Sequence, residues 1–197
     1  MNSNRDIAIV VGVLYILAAV TAIVGFALYQ PILSDPDYIV KSSANETQVI
    51  WGAFNELILA FSVIGISVMM YPIINKENEI IAIGYISFRL LEAMLIIMNI
   101  HNWTFLLGPN LALGPSTLMM SYFLYDSKLV PRFIAVLGFV GGSLILACAL
   151  LVMFGVFLQV SIWGALLAVP VFAYEMSLAL WLIVKGFNSS LVYSSLV

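Results

Sequence analysis

Apolar residues in this chain fall into six stretches separated by brief polar breaks: Ile7–Tyr29, Gln48–Ile74, Ile80–Ile100, Trp103–Tyr125, Val130–Leu158 and Val160–Val184. A helix needs about 20 apolar residues to cross the hydrocarbon core of a bilayer, and every stretch meets that length. The runs are unbroken rather than alternating with period two, which predicts helices and not the strands of a membrane barrel. The expected architecture is all-α: a polytopic membrane helical bundle of about six transmembrane helices, forming a single domain over residues 1–197.

Basic residues outside the apolar stretches set the direction. Arg5, Lys76, Lys128, Arg132 and Lys185 share one side of a six-span arrangement, and Lys41 lies on the other. Cytoplasmic loops carry the excess of Lys and Arg, so both termini are expected in the cytoplasm and the chain in the cell membrane as a multi-pass protein. Trp51, Trp103, Trp163 and Tyr29 then collect at the outer interface, while Tyr71, Tyr125 and Trp181 sit toward the inner one. Amphipathic rings favour both levels. The first stretch far exceeds the ~7–15 apolar residues of a cleavable signal core and is expected to stay as an anchor. The longest connection, Gln30 to Thr47, carries Pro31 and Pro36, which argue against a regular helix there. It is expected to be an external loop, and its Asn45-Glu46-Thr47 matches a glycosylation sequon.

Composition agrees with the pattern. Hydrophobic residues make up 63% of the chain and charged ones 9%, with mean hydropathy +1.13. Soluble domains run near ~45–50% apolar and ~25% charged, so these values require a lipid solvent. A net charge of −3 without a basic run gives no surface for nucleic acid. The single cysteine, Cys148, excludes an intrachain disulfide. His101 is the only histidine, so neither a metal site nor a haem or other cofactor is expected. No phosphate loop or hydrolase motif is present to suggest an enzyme.

Against this apolar background four ionisable side chains stand out: Glu56, Arg89, Glu92 and Glu175. A charge at the centre of a bilayer costs at least about 2.5–3.5 kcal/mol, so it faces protein or water and pairs with something. Arg89 and Glu92 are three residues apart and project from one helix face. At ~1.5 Å per residue all four fall in a slab on the order of 10–15 Å deep, close enough to meet if their helices are neighbours. One guanidinium can hold one carboxylate bidentately, and the remaining two then need protons, water, a cation or donors. Asn55, Asn110 and Tyr174 are candidate donors, with Ser87 and Ser177 beside them. Such a cluster is either a register-locking ion pair or a ligand or proton site. Gly108-Pro109-Asn110, Gly114-Pro115 and Pro170 are expected to break helices near it, as in carriers that build sites from interrupted spans. Gly138 and Gly142 give a GxxxG spacing that suits either an internal contact or a dimer face.

The segments SFRLLEAM, WTFLLGPN, SKLVPRF, PVFAYE and ALWLIVKGF, in this order, resemble an uncharacterised prokaryotic multi-pass membrane family, a domain of unknown function of the DUF4386 type. The resemblance runs from about Arg5 to Phe187. It implies that Arg89, Glu92, Trp103, Gly108, Pro109, Pro131, Arg132, Pro170, Glu175, Trp181 and Lys185 occupy the family's marked positions, and it implies no activity. The connection MNIHNW between the third and fourth spans is shorter than the resemblance leads one to expect.

Three functional classes follow from the residues. The chain binds or moves a small solute or proton at its Glu/Arg cluster; or it is a non-catalytic accessory subunit of a membrane complex; or it acts as an intramembrane enzyme on a lipid-like substrate. Expected partners are the lipid bilayer, a small-molecule or lipid ligand, and a homodimer or larger membrane complex.

Overall fold

In the computed structural model the described residues are 3–33, 46–99, 108–157 and 161–188. Regular structure among them is entirely helical: α1 Ser3–Leu33, α2 Glu46–Asn75, α3 Glu79–Asn99, α4 Asn110–Ser127, α5 Arg132–Met153 and α6 Ile162–Val184. Five of these, all but α4, are long and apolar enough to cross a membrane.

The fourth span, expected over Trp103–Tyr125, appears as the 18-residue α4 from Asn110 to Ser127. Pro109 stands at its N-terminal boundary, where a missing N–H costs nothing. Its Ser116, Thr117 and Ser121 are fully buried, so α4 faces other helices rather than lipid and can carry polar residues. Residues 100–107, including His101, Asn102 and Trp103, lie outside the described part, as do Pro36, Lys41 and Asn45.

Of the expected interruptions, Gly108 and Pro109 stand outside any helix immediately before α4, whereas those at Pro115 and Pro170 are absent. Helices continue through Pro115 in α4, Pro170 in α6 and Pro72 in α2, and α1 runs past Pro31 to Leu33. A proline removes one backbone donor, whereas opening a helix inside an apolar medium would strand several. The fifth span ends earlier than Leu158: Phe154 caps α5 and Gly155 follows at φ +72°, a left-handed conformation open to glycine. Ser161 begins α6 by accepting the Gly164 N–H at 3.2 Å.

Each helix packs on its neighbours in sequence, and α6 returns to α1, so the six close into a ring. The start of α1 and the end of α6 share one face of it. Arg5 donates to the Leu182 and Ile183 carbonyls at 3.2 and 2.6 Å, which ties the start of α1 to the last turn of α6. Asn188 binds the Lys128 carbonyl at 2.8 Å, which places the α4–α5 turn on the same face. The α2–α3 turn is there too: partial burial, with Asp126 of α4 nearby, pushes the Glu77 carboxyl up from its ordinary value.

Buried side chains from all six helices, including Val11, Ile66, Met70, Tyr85, Leu124, Ile134 and Leu178, form one continuous core. Small residues allow the close approaches around it. A Cβ at Gly141 would lie 2.6 Å from the Val171 Cα, and one at Gly142 would lie 3.2 Å from the Gly114 carbonyl oxygen. The GxxxG face of α5 is therefore occupied by α4 and, through Gly141, by α6.

Candidate functional site

Arg89 lies at the middle of α3 and is 1% exposed, the largest of the fully buried side chains. Helical spacing puts Tyr85 one turn before it and Glu92 one turn after it, on the same face. The guanidinium uses both: Nε donates to Tyr85 Oη at 3.2 Å, and Nη1 donates to Glu92 Oε2 at 3.1 Å. Nη2 points away from α3. It donates to Tyr15 Oη of α1 at 3.3 Å and lies 3.6 Å from Glu175 Oε1 of α6. The Tyr15 and Tyr85 rings also stand 5.8 and 5.5 Å from the guanidinium carbon, within cation–π range.

Arg89 therefore joins α3 to α1 and α6 across the interior of the ring. Taking an arginine from water into an apolar interior costs several kcal/mol even after relaxation, and only a dense set of partners offsets it. Here two carboxyls and two phenol oxygens surround one cation. Glu92 is 5% exposed. Glu175 differs, because its side chain keeps 19% exposure against 2% for that of Arg89.

Of the seven residues singled out from the sequence, Arg89, Glu92 and Glu175 come together. Tyr174 is fully buried beside Glu175, and its hydroxyl has no hydrogen-bond partner. Its ring edge and the Ser121 hydroxyl both press on Gly138, where a Cβ would stand 2.7 Å from Tyr174 Cε2.

Glu56 does not join them. Its Oε1 abuts Gly25 of α1, 2.9 Å from where a Cβ would sit, and among the described residues no ion pair or hydrogen bond links it to Arg89, Glu92 or Glu175. The antiparallel α2–α3 register explains the separation, since Glu56 lies about six residues, or ~9 Å, farther from the terminal face than Glu92. Asn55 turns back to its own helix, donating to the Trp51 carbonyl at 2.8 Å. Ser87 likewise binds Ile83. Asn110 sits at the start of α4, half-buried, and Ser177 lies beside Trp181 in an apolar groove between α5 and α6.

Sequence reasoning missed Tyr15 and Tyr85. Tyr85 was within reach of it, being four residues before Arg89 on the same helical face. Tyr15 carries no such signal, because only the closure of the ring brings α1 to Arg89.

Neither the curated proteins nor the solved structures gave a match to this chain. A family model described as Domain of unknown function (DUF4386) matches over residues 10–106 and 97–186. The two matched segments overlap at 97–106, across the short connection between α3 and α4. Covered in this way from its first helix to its last, the chain is a membrane protein that belongs to the DUF4386 family.

Proposed function

We propose that this protein binds or moves a proton, or a small solute with it, at the Arg89–Glu92–Glu175 cluster, and that it lies in the cell membrane with both termini in the cytoplasm. One observation carries the reading: two carboxyls from different helices share a single buried guanidinium. With both ionised the group holds an excess negative charge in an apolar interior. Electroneutrality is met when one carboxyl carries a proton or a cation stands beside it. Glu175 is the exchanging member, since Glu92 accepts from Arg89 Nη1 with both carboxyl oxygens while Glu175 stands farther off and keeps access to its surroundings. The orientation is supported by Arg5, Lys128 and Lys185 on the face that holds the start of α1 and the end of α6.

The test is reconstitution into liposomes containing a trapped pH indicator, with a pH step applied outside. Wild type is expected to take up or pass protons in a pH-dependent way, and Glu175→Gln to lose that response while keeping its thermal unfolding profile. An identical response from the two proteins would end this reading.

A second reading has its own support. Arg89 and Glu92 are nearly sealed and mutually paired, which suits a lock on helix register with no traffic through it. That reading expects Glu175→Gln to change stability alone.

A further inference from the structure

The seam between α5 and α6 changes character along its length. In the middle of the bundle α5 meets the backbone of α6, since a Cβ at Gly141 would lie 2.6 Å from the Val171 Cα, and Gly138 receives the edge of the Tyr174 ring. Nearer the face that holds the start of α1 and the end of α6, α5 offers Phe133 and Ile134 and no glycine. Side chains at a helix contact set the spacing of the axes, so the two helices part. A groove of about 330 Å³ opens between them.

On α6 the groove is lined by Ser177, Leu180, Trp181 and Val184, which recur at helical spacing and form one face. Phe133, Leu180 and Val184 are 63%, 58% and 65% exposed, so the walls present apolar side chains to the lipid around the ring. Lys185 stands at the end of the groove and, among the described residues, is the charged group that lines it. From Lys185 to Ser177 the groove runs ~12 Å along α6. Other cations gather at the same end. Asn188 donates its side chain to the Lys128 carbonyl at 2.8 Å and its backbone N–H to the Leu129 carbonyl at 2.9 Å, which holds the α4–α5 turn against the end of α6. That turn carries exposed Lys128 and leads into Arg132, whose guanidinium lies 5.3 Å from the Tyr125 ring centre. Its one carboxylate is Asp126, so the rim is positive on balance.

We infer that the α5–α6 groove binds an anionic phospholipid of the cytoplasmic leaflet, with an acyl chain along Phe133, Leu180 and Val184 and the headgroup phosphate at Lys185 and Lys128. The inference goes beyond the proton reading and uses only the orientation proposed with it. Two features select this occupant. The walls match hydrocarbon and offer a free polar anion nothing below Lys185. The rim places positive charge at headgroup level, and basic sites between spans on the cytoplasmic side suit anionic lipid. A second copy of this chain, packed here about a two-fold axis, would bring two identical cationic rims together, and like charges oppose that.

Full-length protein in an uncharged detergent is titrated with phosphatidylglycerol, with phosphatidylcholine of the same acyl chains, and with inorganic phosphate, and bound lipid is counted by native mass spectrometry. Phosphatidylglycerol is expected to bind at least about fivefold more tightly than phosphatidylcholine, and phosphate to leave it in place. Lys185→Gln should weaken phosphatidylglycerol about fivefold and leave phosphatidylcholine unchanged. Leu180→Trp, which fills the groove from an exposed position, should weaken both lipids. Lys76→Gln, at an exposed residue of the α2–α3 turn, is the control and should change neither. Equal affinity for the two lipids, or Lys185→Gln and Leu180→Trp behaving like Lys76→Gln, would overturn the assignment. So would displacement of lipid by phosphate, which marks a free-anion site, or a lipid-free dimer that Leu180→Trp dissociates, which gives the groove to a second copy. None of these outcomes bears on the Arg89 cluster, whose own test is Glu175→Gln.

Discussion

Arg89 Nη2 of α3 lies 3.6 Å from Glu175 Oε1 of α6, an ion pair between helices whose places in the ring are opposite. The ring's neighbouring contacts could be satisfied with a collapsed or sheared interior. This pair, with the 3.3 Å bond from Arg89 to Tyr15, ties three helices through one side chain.

Removing the cation alone should therefore be far worse than neutralising the whole group. Arg89→Leu is expected to destabilise the protein by about 3–5 kcal/mol, because two buried carboxyls lose their partner. Combining it with Glu92→Gln and Glu175→Gln should recover a large part of that loss. Thermal unfolding in one detergent decides the matter, and a triple variant no more stable than Arg89→Leu would contradict it.

Tyr15 contributes an acceptor that no local pattern supplies. Tyr15→Phe leaves one Arg89 donor unpaired at a fully buried site and is expected to cost about 1–3 kcal/mol. Tyr122→Phe, at a residue 53% exposed, serves as the control and should change little.

Two glycine substitutions separate backbone contact from flexible contact. Gly141→Ala would drive a methyl into the Val171 backbone, with the Pro170 carbonyl carbon 2.9 Å away, and neither can move aside without shifting a helix. The expected cost is about 1–3 kcal/mol. Gly84→Ala meets only the end of the Met119 side chain, which can rotate, so a much smaller change in melting temperature is expected.

Glu77, on the terminal face, gives a pH signature. Burial and the neighbouring Asp126 push its carboxyl up, so the folded state holds this proton more tightly than the unfolded chain does. Stability from this group is present at low pH and falls as pH rises from the ordinary carboxylate range through the raised folded value. Glu77→Gln should raise the melting temperature slightly at pH 7, with the gain vanishing near about pH 4. A gain that persists undiminished at the acid end would place its origin elsewhere.

Much of this protein is written in its linear pattern. Unbroken apolar runs with short polar breaks determined membrane-spanning helices, because the bilayer leaves backbone groups no other way to be paired. The i, i+3 spacing of Arg89 and Glu92 determined that they share a face, as found at 3.1 Å. What lies beyond one helix was decided by tertiary structure. Ring closure brought Tyr15 and Glu175 to Arg89, while the antiparallel register carried Glu56 past the cluster to Gly25. Burial of α4 between its neighbours let it hold Ser116, Thr117 and Ser121, which hydropathy alone could not assign to an inward face. Sequence periodicity fixes direction around a helix axis; which helix stands opposite, and at what depth, depends on packing among all six.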